Sequence, residues 1–207
     1  MNLPNHKYGS KPSLTQRIIG KIEGQTIGPT IVFFAGIHGN EFAGVHALID
    51  VFSKLTEDDI AGTIYGIAGN LPALRQRQRY LEEDLNRIWT KERIESLPAK
   101  AKRSIEENEQ SEILEILNDI LNSQNGPLYF IDFHTTSSKT IPFITINDAL
   151  INRNFSKKFP VPIVLGIEEY LHGPLLSYIN ALGYVSLGFE SGQHEDQQAV
   201  LNSISFA

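Results

Sequence analysis

The chain has 207 residues, 41% of them hydrophobic and 20% charged, with a formal net charge of −6 and no cysteine. This is the balance of a folded globular chain, long enough for one well-buried core and best read as one domain, 1–207. Acidity without a dominant basic block argues against nucleic acid or an anionic membrane as partner, and the missing thiols leave only His, Asp and Glu to hold a metal.

Met1 to Ser13 is polar and proline-punctuated, which predicts irregular structure. It has no apolar core of signal-peptide type and no later run approaches a membrane span, so a cytoplasmic protein is expected. Gln16 to Ile22 alternates as an edge strand does, and Glu23-Gly24 follows as a turn. Thr30 to Ala35 is continuously apolar and bounded by Gly28-Pro29 and Gly36, the pattern of a central strand. A loop, Gly36 to Asn40, leads to Glu41, which is expected to open a helix carrying Phe42, Val45, Leu48, Ile49 and Phe52. Thr63 to Ala68 is the next strand, Leu71 to Arg79 a loop with a short helix, and Lys91 to Arg103 an irregular excursion.

Ile105 to Asn122 is an amphipathic helix with Ile113, Leu114, Ile116, Leu117, Ile120 and Leu121 as its buried stripe. Strands are expected at Leu128 to His134, Ile141 to Ile146 and Val161 to Leu165, the last at an edge because of Pro162. A helix over Pro174 to Leu182, a strand over Val185 to Glu190 and a helix from Asp196 complete the chain. Alternating strands and helices imply an α/β domain with helices packed on a buried sheet.

Four segments carry chemistry. His38 and Glu41 are three apart on a glycine-containing loop between strand and helix, the crevice where α/β sheets place their sites. Alone, the pair reads as readily as a loop histidine and a glutamate favoured by the helix dipole. Asp132 and His134 share one face at the end of a strand. Alone, His134 reads as a capped core histidine; with His38 and Glu41 it completes the His2Glu set of catalytic zinc sites. Glu190 leaves the strand opposite Val185, Leu187 and Phe189, where a carboxylate can take a proton from water and pass it on. Arg75 to Arg79, with Asp84, Asn86 and Arg87, supplies guanidinium groups for an oxyanion or a substrate carboxylate, though a solvated basic face is the usual fate of such a run.

In order, GIHGNE, RY followed by DLNR, DFHTT and FESG resemble the succinylglutamate desuccinylase/aspartoacylase family, from the first core strand to Gly192. The resemblance implies a phosphorylase/hydrolase-like three-layer α/β fold with a mixed central sheet, as in the zinc carboxypeptidases. It further implies one Zn2+ per chain on His38, Glu41 and His134, and Glu190 as general base. By the same resemblance, Arg79 is expected to polarise the scissile carbonyl, Asn86 and Arg87 to bind the substrate carboxylate, and Asp84 to orient the first zinc histidine.

The implied reaction is hydrolysis of the amide of an N-acyl amino acid, with metallocarboxypeptidase action on short peptides as the alternative. A non-catalytic binding module is disfavoured because it would need no such complete set. Two departures stand out. Asn180 occupies the position of a family arginine that reads a side-chain carboxylate, and no segment corresponds to the family's C-terminal β-rich domain. His6, His46, His172 and His194 match no ligand position; His46 is read as structural and His194 as a candidate for the pocket lining.

Overall fold

A computed structural model describes residues 16–123, 126–167 and 170–207. Met1 to Ser13, read above as irregular, and His6 with it, lie outside the described residues. Strand β2 (Thr26–Ala35) is central, flanked by parallel β3 (Ala61–Ala68) and β4 (Leu128–Thr136). Both faces of β2 are therefore covered, which is why its second half is unbroken in apolar residues. Beyond β4 lies parallel β7 (Val185–Gln193), followed by β5 (Phe143–Ile146) antiparallel to β7, and β6 (Ile163–Leu165) at the edge. Beyond β3 lies β1 (Ile18–Glu23), antiparallel, at the opposite edge. Among the described residues the sheet is seven-stranded and mixed, in the order β1-β3-β2-β4-β7-β5-β6.

Helices cover both faces. On one, Val32, Phe34 and Phe130 pack with Ile113, Leu117 and Ile120 of α4 (Ile105–Ser123) and with Leu175, Leu176 and Ile179 of α6 (Leu175–Ala181). On the other, Phe33, Phe133, Leu187 and Phe189 pack with Val45 and Leu48 of α1 (Ala43–Phe52) and Phe155 of α5 (Leu150–Ser156). Phe206 of α7 (Gln197–Phe206) stacks on Phe189 with ring centroids 3.9 Å apart. Burying one such ring is worth about 1.5–3 kcal/mol. This three-layer arrangement is the one expected from sequence, and helix α7 starts where expected, with the Asp196 carboxylate accepting from Gln198 N.

Several local expectations change. Glu41 does not open α1, which begins at Ala43; Glu41 sits in the preceding loop, its N–H donating to His38 O at 3.1 Å. Within Lys91 to Arg103 the chain forms the short α3 (Lys91–Ser96), started by the Thr90 hydroxyl accepting from Arg93 N, a cap the excursion reading overlooked. Helix α5 forms where the sequence pattern predicts no element. Ile141 is exposed and lies outside β5.

Helix α4 buries its expected stripe at Ile113, Leu117 and Ile120, but its first turns bury Glu106, Glu107, Glu109 and Gln110. The Glu106 carboxylate accepts from the N–H groups of Leu81, Glu82 and Glu83 and from the Asn70 amide. Glu109 accepts from Leu71 N and from Arg17. These acceptors satisfy backbone donors that burial would otherwise leave unpaired. They also tie the 81–83 backbone to the helix, and so fix the loop that carries Arg79, Asp84, Asn86 and Arg87.

Candidate metal centre and active site

The parallel strands β2, β4 and β7 end on one side of the sheet, and each delivers a polar side chain there. After β2, Gly36 takes φ +72°, a left-handed conformation that a side chain would strain. Gly39 then presses against α2 (Leu71–Gln76): a Cβ there would lie 2.2 Å from the Ala73 carbonyl carbon. These two glycines let the loop fold tightly enough for Glu41 to turn back beside His38. Gly39 N also donates to Arg79 O, 3.0 Å, which draws the arginine segment against the same loop.

Ligand atoms of His38, Glu41 and His134 all lie within 4.8 Å of one another. The two Nδ1 atoms converge on the Glu41 carboxylate, at 2.8 Å for His38 and 3.1 Å for His134. Each Nε2 is held from behind by a carboxylate: His38 by Asp84 at 3.1 Å, His134 by Asp132 at 2.8 Å. A carboxylate accepting the Nε2 proton fixes the tautomer that turns the Nδ1 lone pair inward. Thr135 N donates to the second Glu41 oxygen, 2.9 Å, and orients it.

Burial works against charge on His38, yet its bonds to Asp84 and Glu41 outweigh that and raise its pKa above the usual imidazole value. The same balance, with Asp132 and Glu41, raises His134 well above it. Burial likewise opposes ionisation of Glu41, but its two histidines hold it far below the ordinary carboxylate range. Two imidazoles and a carboxylate so placed share protons that a divalent cation replaces, so the donor set fits a metal such as zinc. Asp132 is the partner that sequence reading left without a role; its signal was the shared strand face with His134. Asp132→Asn is expected to weaken divalent-metal binding about 10–100-fold, read by competition with a chelator.

Glu190 stands beside this cluster because His134 and Glu190 are register partners across β4 and β7. Burial pushes its carboxyl above the ordinary value, and its Oε2 is buried without a hydrogen-bond partner among the described residues. Arg79 bonds Asp84 Oδ2 through Nε at 3.2 Å and Nη2 at 3.1 Å, and its Nη1 lies 3.7 Å from Glu41. Asp84 thus serves His38 and Arg79 at once. Asn86 is buried and accepts from Leu175 N at 2.9 Å, while Arg87 donates to Asn86 O at 2.7 Å.

All the expected site residues except Asp84 line one cleft of about 150 Å³. Asp84 lies behind it, as an orienting group would. Thr135, Thr145, Ile167, Leu171, Pro174 and Leu176 form the remaining wall, and of these the sequence motifs include only Thr135, in DFHTT. Their strands and loops are brought there only by the sheet order. His194 is not part of the wall; its Nδ1 lies 2.6 Å from the Thr135 hydroxyl. His46 is buried in α1 and His172 is exposed. Asn180 lies away from the cleft in α6, bonded to Leu176 O, Ser186 and Asn152.

Residues 27–200 match the model of the succinylglutamate desuccinylase/aspartoacylase catalytic domain. The chain is 45% identical over 62 residues to a succinylglutamate desuccinylase of Photorhabdus laumondii, an alignment covering 29% of this chain and 19% of that protein. Among solved structures, a succinylglutamate desuccinylase/aspartoacylase from Rhodobacter sphaeroides superposes with a TM-score of 0.69 at 21% identity, covering 89% of this chain and 54% of that one. A succinylglutamate desuccinylase from Chromobacterium violaceum superposes with a TM-score of 0.71 at 14% identity, covering 90% and 61%. The chain thus spans little more than half the length of these structures.

Proposed function

The chain belongs to the succinylglutamate desuccinylase/aspartoacylase family, and from that premise we propose that it is a zinc-dependent hydrolase that cleaves the amide bond of a small N-acyl amino acid. His38, Glu41 and His134 hold one zinc per chain, and a cytoplasmic location is part of the same reading. The observation that carries it is the convergence of two carboxylate-anchored imidazoles on Glu41, with Glu190 in register beside them.

Zinc bound there would polarise the amide carbonyl and acidify a water molecule. Glu190 takes the proton of the attacking water and returns it to the leaving nitrogen as the C–N bond breaks, giving a carboxylic acid and an amine. Its raised pKa suits both halves of that task. Arg79, braced by Asp84, meets negative charge as it develops on the carbonyl oxygen. Arg87 and Asn86 grip the substrate's carboxylate, for which a planar guanidinium beside an amide is well suited. The small cleft favours an N-acyl amino acid over the longer peptide of a metallocarboxypeptidase.

Zinc-loaded protein assayed against N-acyl amino acids and dipeptides tests the reading directly. A cleaved substrate should be favoured over its carboxamide analogue by roughly ten- to a hundredfold in kcat/KM, the usual scale for one charge-assisted contact. Arg87→Ala should erase that preference. Equal use of both compounds by wild type and variant would remove Arg87 as the carboxylate anchor.

A further inference from the structure

The cleft's charges are few, and most are already committed. Of its two guanidinium groups, Arg79 is paired with Asp84 through two nitrogens and stands near Glu41. Arg87 has the Asn86 carbonyl as its partner and no carboxylate among the described residues. The wall beyond the metal cluster consists of Ile167, Leu171, Pro174 and Leu176 with the two threonines Thr135 and Thr145, and no further cation lines it among the described residues. Glu190 lines it as well and adds a carboxylate, not a cation.

Resting on the deacylase reading, we infer that the substrate carries one carboxylate, held by Arg87, and that its acyl chain and amino-acid side chain are both uncharged. A second carboxylate would be buried either against aliphatic side chains, where nothing repays its lost hydration, or toward Glu190, where like charge repels it. An aliphatic group of the same shape gains by burial on that wall. The cleft of about 150 Å³ admits only a short one.

Two isosteric pairs test this: N-acetylleucine against N-acetylaspartate, and N-(4-methylpentanoyl)alanine against N-succinylalanine. Zinc-loaded protein should favour the neutral member of each pair by at least about tenfold in kcat/KM, since burying an unpaired charge is far more costly than burying a methyl group. Calorimetric binding to the Glu190→Gln protein should rank them in the same order by a smaller margin, since the repelling charge is gone while the aliphatic wall remains. Ile167 is 43% exposed, so Ile167→Arg can be accommodated and should narrow the gap in at least one pair. Equal or preferred use of an anionic member by the wild type would overturn the inference for that substituent while leaving the deacylase reading intact. If none of the four compounds is cleaved or bound, the deacylase reading falls and this inference with it.

Discussion

Glu190→Gln should retain its zinc and lose about 10²–10⁴-fold in kcat, the usual scale for removing a general base. The substitution keeps the shape of the side chain but replaces a group that can accept and return a proton with one that does neither at neutral pH. No metal-ligand atom is altered, so metal content should match wild type. Little structural cost is expected, because the buried Oε2 makes no hydrogen bond among the described residues for the amide to break. Turnover and elemental analysis on the same sample separate the two effects. Near-normal turnover with full metal would move the base elsewhere. His194 is then poorly placed to replace it, since it does not line the cleft and its ring is engaged with the Thr135 hydroxyl.

The double variant His38→Ala/His134→Ala should lose zinc binding altogether under conditions where wild type holds one zinc per chain. Only Glu41 would remain of the three groups that converge, and one carboxylate does not hold zinc at the affinity of a His2Glu set. A ligand that binds only the folded protein stabilises it by about 4 kcal/mol at a thousand times its Kd. Added zinc should therefore raise the Tm of the wild type and leave that of the variant unchanged. A wild type with no bound divalent metal after reconstitution, or a variant that keeps its metal and its zinc-dependent Tm, would refute the site.

Much of the molecule follows from local pattern. Two-residue alternation sets the faces of β4 and β7, so that pattern alone puts Asp132 with His134 and Glu190 opposite Leu187 and Phe189. The unbroken apolar run in β2 announced a strand covered on both sides, and α4 showed its stripe at helical spacing. Such features are legible because a strand or helix repeats the same geometry at every residue, and burial repeats with it. Short elements lack that repetition. Helix α5 has only seven residues, and the loop carrying Glu41 needs no helical turn to return its side chain to His38.

By itself, then, the chain determined which residue types stand at the ends of its strands, and therefore which donors were available to a metal. Tertiary structure decided which of them meet. The order β2-β4-β7 sets His134 directly across from Glu190, a neighbour 56 positions away in the chain. The Thr135 N–H reaches Glu41 over 94 positions to orient its carboxylate. The buried carboxylates of α4 contradict its amphipathic pattern until the loop at Leu81 to Glu83 is brought against them, where each backbone N–H needs an acceptor. Hydrogen bonds of this kind are directional and join segments with no shared periodicity, so no local pattern encodes them; they exist only once the sheet has closed the distance.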